Sequence, residues 1–394
     1  MDVLKMPRVL ILILLVSFAT LSAVLFTPGI PELAAEFGLS DANIQWVMSI
    51  YLLGYCFGQL PYGPLANRMG RKRALHVGLA IALLGAAIVY FSENFFILCL
   101  GRFIQAIGAA AGLKIAFTII GDLHAGEQAA KAIARISISF AVVLGLGVAI
   151  GGVFVSAFGW RGCFIALLIY TVFLYFCSLI LPETTKEINP KALQIKHIVH
   201  GYARQFKDPF LVLHATLMAL CTTVNYMYSV EAPLVSIDVM KMTPVQYGMY
   251  NLIPAMGLAI GVQSARHLAG KVRPRIAMLS GILLGLIGTL LMLVLFANDL
   301  VNPWSFFLPL GIIWLSGIIP WIFASAAIVS EATDKSNASA VMQFINLFGT
   351  TVGTSLVGLL GSQGNIFTLP VALAIVFALQ LGIWLFLRAH HRSL

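Results

Sequence analysis

Apolar stretches long enough to cross a lipid bilayer recur from one end of this chain to the other. Twelve can be drawn, over 8–27, 43–65, 75–92, 96–120, 133–157, 162–181, 210–233, 246–265, 276–297, 304–329, 338–361 and 368–388. Each is close to the roughly 20 residues that a helix needs to cover the hydrocarbon core. Lipid supplies no hydrogen-bond partners for backbone groups, so a spanning segment of this kind is expected to be helical. Composition points the same way. Hydrophobic residues make up 60% of the 394 and charged residues only 10%, against about 25% in soluble domains. That excludes a soluble enzyme, a disordered tail and a secreted disulfide scaffold. The expectation is an all-α membrane protein with twelve transmembrane helices. The first span carries a basic flank, Lys5 and Arg8, as a signal peptide would. Its apolar run is too long and no small-x-small cleavage site follows, so it reads as a retained helix.

An even number of spans puts both termini on one side, and the basic residues say which. Of the 24 Lys and Arg, 20 fall on the side of the termini and only Arg161 and Lys241 on the other. Basic loops stay in the cytoplasm, so both termini are expected there, with Glu32, Glu36, Asp41, Glu93, Asp238 and Asp299 outside. The net charge of +9 then belongs to these loops. No basic face with interleaved aromatics accompanies it, so no nucleic-acid partner is expected. The five cysteines lie in apolar runs without metal-ligand spacing and read as small buried hydrophobes. No metal or other cofactor is expected.

The longest polar stretch, 182–209, divides the chain into an N-terminal bundle (1–181) and a C-terminal bundle (210–394) of six spans each. Its Lys186, Lys191, Lys196, Arg204 and Lys207 alternate with Ile195, Ile198, Val199 and Tyr202. That pattern fits an amphipathic helix on the membrane surface or an irregular cytoplasmic linker. A faint duplication supports two related halves. Gly63 and Arg68 recur as Gly261 and Arg266 after a shift of 198 residues. Span 2 starts after Ser40 with Asn43 three residues on. Span 8 starts after Thr243, with Pro244 and Gln246 in a capping-box pattern.

Three segments carry more information than hydropathy does. Gly63-Pro64-Leu65-Ala66-Asn67-Arg68-Met69-Gly70-Arg71-Lys72-Arg73 joins spans 2 and 3. Its glycines suit a tight turn and close helix approach, and its cations suit helix C-terminal carbonyls. Arg102-Phe103-Ile104-Gln105-Ala106-Ile107-Gly108 places an arginine about six residues into span 4. Gly145, Gly147, Gly151 and Gly152 in span 5 lead to Gly159-Trp160-Arg161. The first segment resembles the loop 2–3 signature of the major facilitator superfamily. The second is similar to the span-4 motif of its drug exporters, and the third to their antiporter motif. Leu181-Pro182-Glu183-Thr184, together with the spacing of Pro28 and Pro31, looks closest to the bicyclomycin/chloramphenicol-resistance (Bcr/CflA-type) branch. The resemblance implies two six-helix bundles, a central cavity, alternating access and a bacterial inner-membrane location. It also implies a gating role for Gly63, Asn67, Arg68, Gly70 and Arg71, helix packing at Gly147, Gly151 and Gly152, and proton coupling at Arg102. Three positions depart from the pattern. Val24 stands where many exporters have a span-1 aspartate, Asn67 where the loop has an acid, and Val148 where the antiporter motif has a proline.

Charges inside spans are costly and mark function. Here they are Arg102, Lys114 and Glu231. Lys114 is 12 residues beyond Arg102, about 18 Å along the axis and about 120° around it. It can snorkel to the cytoplasmic interface. Glu231 precedes Pro233 near the outer end of span 7, with Met227 and Tyr228 on its face and Asn225 and Tyr226 on the same helix. With no span-1 acid, it is the leading proton-coupling candidate. Gln105 accompanies Arg102. Gln343, Asn346, Thr350 and Thr354 make a polar stripe on span 11, Ser49, Cys56 and Gln59 one on span 2, and Trp314 and Trp321 share a face of span 10. Such stripes glue helices together or line a water path. No nucleotide-binding loop, zinc-protease motif or nucleophile elbow occurs, so no enzyme is expected. The function read from the chain is a monomeric secondary transporter in membrane lipid, exporting drug-like or metabolite solutes against protons. The alternatives are carriage of an anionic metabolite or carboxylate siderophore, in either direction, or a channel. The intramembrane charges sum to +1, which favours an anionic solute.

Overall fold

A computed structural model describes residues 6–123, 126–185, 188, 202–332, 335–360 and 365–390. The helices are α1 (Met6–Val24), α2 (Ile30–Glu36), α3 (Asp41–Gly58), α4 (Tyr62–Met69), α5 (Arg71–Tyr90), α6 (Phe95–Leu123) and α7 (Gly126–Ser178) in the first half. The second half contains α8 (Pro209–Pro233), α9 (Pro244–Tyr250), α10 (Leu252–Leu268), α11 (Pro274–Ala297), α12 (Pro303–Glu331), α13 (Lys335–Leu360) and α14 (Thr368–His390). No strand occurs among the described residues. The fold is the expected pair of six-helix bundles. Eight stretches are long and apolar enough to cross a membrane by themselves. One of these, Gly145–Ser178, holds two crossings, because Gly159 has φ +68° and breaks α7. The shorter or more polar α3, α10 and α13 make the remaining three crossings.

Several spans are less continuous than the hydropathy suggests, and the breaks have local causes. Span 1 runs from α1 through a 3-10 turn, Thr27–Gly29, into α2, with Pro28 and Pro31 each opening a helical segment. Span 2 ends as α3 and resumes as α4 after Pro61. Span 8 breaks at Asn251. Pro254 has no N–H to give to the carbonyl of Tyr250, so the ladder opens there. The Thr243 capping box is formed, with Gln246 N donating to Thr243 Oγ1 at 3.2 Å and Thr243 N to Gln246 Oε1 at 2.9 Å. Ser40 sits at the N-cap of α3 but its side chain makes no cap. Most of 182–209, including Lys186, Lys191 and Lys196, lies outside the described residues, so neither reading of that segment is addressed.

The apolar core tells how the bundles meet. One continuous cluster contains N-terminal-half residues together with Val224, Tyr228, Leu258, Phe306 and Phe377 of the other half. These C-terminal-half residues sit toward the side opposite the termini. A second cluster, with Met218, Met278, Phe323, Val341 and Trp384, belongs to the C-terminal half alone and lies toward the terminal side. The halves therefore share a core on one side, while toward the other they meet only partly, where Cys56 Sγ donates to the Phe344 carbonyl at 3.5 Å and the Phe57 and Phe344 rings lie edge to face at 6.0 Å.

Candidate functional site

On the side opposite the termini the halves are tied by buried polar contacts. Glu231, two residues before the end of α8, is only 6% exposed, so it is not an acid at the water interface. Gln45 Nε2 of α3 donates to Glu231 Oε1 across the bundle interface. Ser49 Oγ, one turn further along α3, lies 3.3 Å from Thr354 Oγ1 of α13. Beyond Glu231 and Pro233 the backbone widens into a π-helical turn, Leu234–Val239, a departure that often accompanies functional sites. Tyr228, one turn back, donates to Asn251 Oδ1 at 2.5 Å and sets its ring edge-on to Trp314. Asn225 is half-buried on the same helix, its carbonyl accepting from Ser229 Oγ at 2.9 Å.

Arg102 does not snorkel: its side chain is fully buried. Its Nη1 donates to the Ser22 carbonyl of α1 at 2.8 Å and to Gln105 Oε1 at 2.9 Å. The guanidinium lies 4.1 Å from the ring centre of Tyr51, 4.5 Å from that of Phe26 and 5.7 Å from that of Phe164. Cation–π attraction of this kind partly replaces the lost hydration. Tyr226 of the opposite bundle lies within electrostatic range of Arg102, so the arginine stands near the bundle interface.

The other candidates separate. Lys114 is half-buried toward the terminal end of α6, with Cε beside Gly63. Asn346 accepts from Thr222 Oγ1 of α8 at 2.8 Å and donates to Gln343 Oε1 at 3.2 Å, while Thr350 Oγ1 donates to the Ala219 carbonyl at 3.2 Å. That stripe joins α13 to α8, although Gln343 stays half-buried. Trp314 is buried beside Tyr228, whereas Trp321 packs half-buried on the terminal-side core.

The loop signature forms a compact network on the terminal side. Gly70 turns the chain at φ +95°. The Glu183 carboxylate then accepts from the backbone N–H of Arg71 at 3.0 Å and of Lys72 at 3.1 Å, closing the start of α5. Burial pushes the Glu183 carboxyl up, but the N–H groups of Thr185, Arg71 and Lys72 outweigh it and hold it below the usual range. Arg71 Nε pairs with Asp122 Oδ2 at 3.0 Å and its Nη1 donates to Asn67 Oδ1 at 2.7 Å. Lys72 Nζ, in the first turn of α5, donates at 2.7 Å to the Leu179 carbonyl just past the C-terminus of α7. Arg68 is exposed in the last turn of α4. Gly63 departs from expectation: a Cβ there would meet only Lys114 Cε at 3.6 Å, so no close approach requires glycine.

The span-5 glycines do pack closely, on two faces. Gly147 faces Leu21 and Val24, and Gly151 abuts the carbonyl of Leu25, all in the same half. Gly145 meets Ala255, and Gly152 abuts the carbonyl of Pro244, both in the other half. At the break after span 5, Glu32 accepts from the Trp160 N–H at 3.1 Å, and Glu36 pairs with Arg161 at 2.6 Å. Gln45, Tyr51, Phe26, Ser22 and Asp122 were not singled out from sequence. Only Gln45 had a signal, since it extends the Ser49, Cys56 and Gln59 stripe by one turn.

The chain belongs to the Major Facilitator Superfamily, whose family profile matches residues 12–349. An uncharacterized transporter of Rickettsia bellii is 27% identical over 297 residues, 74% of this chain and 72% of that one. Multidrug resistance protein D of Escherichia coli is 29% identical over 160 residues, 41% of each chain. A partially occluded inward-open structure of the E. coli xylose transporter XylE shares the fold, with a TM-score of 0.76, 15% identity and coverage of 98% of this chain and 97% of that one.

Proposed function

We propose that this protein is a secondary active transporter of small organic solutes, exporting drug-like compounds or metabolites in exchange for protons by alternating access. Drug-resistance relatives support the substrate class. The observation that carries the mechanism is the buried Gln45–Glu231 hydrogen bond between the bundles. It supports a carrier closed on the side opposite the termini, with a titratable group inside the closure. A carboxylate there is dry when the halves meet and hydrated when they part, so its proton affinity is coupled to the conformation. Glu231 is accordingly assigned the coupling role, Arg102 that of a cation near the solute, and the termini a cytoplasmic location. Lys114, Gln343 and Trp321 are assigned to the path on the terminal side, and Asn225 to the path nearer the closure.

The test is transport in proteoliposomes. Glu231→Gln is expected to abolish accumulation driven by a pH gradient while retaining solute exchange at equal concentrations. Gradient-driven accumulation equal to that of the wild type would remove Glu231 from the mechanism. Flux that rises linearly with the gradient and shows no counterflow would replace the carrier with a channel.

A further inference from the structure

We propose that Arg102 and Gln105 form a binding site for the carboxylate group of a transported solute. The inference rests on the transporter reading and narrows its substrate class. Arg102 is fully buried, yet its Nε and Nη2 meet no hydrogen-bond acceptor. Gln105 Nε2 has no partner either, although Gln105 Oε1 and the Ser22 carbonyl both hold Arg102, and the Ser22 hydroxyl is taken up by Tyr51. No carboxylate lies within ion-pair distance of this guanidinium among the described residues. A guanidinium does not shed its proton to escape burial, and a buried unpaired charge is strongly destabilising. The site is therefore one anion short.

The geometry says what kind of anion. The Tyr51 and Phe26 rings cover the guanidinium, and Nη1 is occupied. What remains is the Nε–Nη2 edge, whose two parallel N–H bonds match the two oxygens of a carboxylate. The Gln105 amide, whose Nε2 is unpartnered, adds a donor beside that edge. Tyr226 of the other bundle lies within electrostatic range of Arg102, which puts the site near the bundle interface.

The test uses thermal stabilisation of the purified full-length chain in chloride-free buffer, titrated with benzoate, with its neutral isostere benzamide, and with chloride. Benzoate is expected to stabilise, and benzamide to act at least about ten-fold more weakly. Arg102→Lys keeps the charge and loses the fork. It should weaken benzoate about ten-fold and leave benzamide within about two-fold. Gln105→Glu supplies its own carboxylate to Arg102. It should raise the melting temperature without ligand and abolish the benzoate response, which keeps the test decisive if Arg102→Lys does not fold. Absence of a benzoate response, an equal response to benzamide, or an undiminished response in Gln105→Glu would overturn the proposal. A chloride response matching that of benzoate would replace the carboxylate with an inorganic anion. Solute counterflow in proteoliposomes separates the two readings. Counterflow of neutral solutes without anion binding refutes this site alone, whereas anion binding without any counterflow refutes the transporter.

Discussion

Removing the donor that Gln45 gives to Glu231 should open the carrier on the side opposite the termini. Gln45→Leu is close to isosteric and leaves the carboxylate in place, 6% exposed, without its cross-bundle partner. A hydrogen bond to an ionised group contributes about 1.5–3 kcal/mol. Glu231 has a further interaction, so the lower end applies, about 1.5 kcal/mol. The cost falls on the closed state alone, because water solvates Glu231 once the halves part. A cost of that size changes a two-state ratio slightly more than ten-fold. A closed-to-open ratio of about 20 to 1 would fall to about 2 to 1. Electron–electron distance measurements can read this, with labels on Phe91→Cys and Leu300→Cys in a chain whose native cysteines are replaced. Both positions are exposed, in the loops after α5 and α11. The long-distance population should grow from a few per cent to about a third. In a Glu231→Gln background the same substitution should act about half as strongly, because the charge assistance is gone. An unchanged distance distribution in Gln45→Leu would refute the idea that this contact holds the closure.

Glu183→Gln should lower the melting temperature by about 1–2 °C, the loss of an exposed helix cap of about 1 kcal/mol. Because the folded carboxyl is held below its ordinary value, its contribution is present above pH 4.5 and disappears as pH falls through the folded value. Melting curves of wild type and variant should therefore differ at neutral pH and converge in acid. Gly152→Ala drives a Cβ against the Pro244 carbonyl of the other bundle. It should shift the label distances as Gln45→Leu does, at a cost of about 1–3 kcal/mol, while Gly63→Ala leaves them unchanged. Asn67→Asp gives Arg71 a second acid on an exposed surface, so transport should persist and the melting temperature should move by less than about 1 °C.

The crossings were legible because lipid forces every backbone group to pair within its own segment, and hydropathy alone marks where that happens. The breaks were less legible, for reasons that differ from one to the next. Pro28, Pro31 and Pro61 mark their kinks openly. The opening at Asn251 depends on Pro254, three residues later, acting on a carbonyl one turn back, and residue 251 itself carries no signal. Gly63 misled in the opposite sense. A glycine in a recognisable signature suggested crowding, and only the position of the neighbouring helix shows that there is room.

The site was legible as a set of misfits and not as a set of pairs. Arg102 and Glu231 stand out because each is charged inside an apolar helix, a local property. Their partners are set by the packing of bundles: Ser22 is 80 residues from Arg102, and Gln45 is 186 residues from Glu231. No periodicity along one helix encodes which face another helix turns toward it. The same reasoning bears on the departures from the exporter pattern. Val24 is buried against Gly147, so the span-1 position that carries an aspartate in many exporters is filled here by packing. That leaves a fully buried arginine whose charge the chain's own described carboxylates do not balance, and a buried glutamate held by a neutral amide of the opposite bundle. The first calls for an anion from outside the protein, and the second for a proton whose affinity changes as the bundles part. An exchanger that binds one solute at each of these groups needs no further acid within its spans.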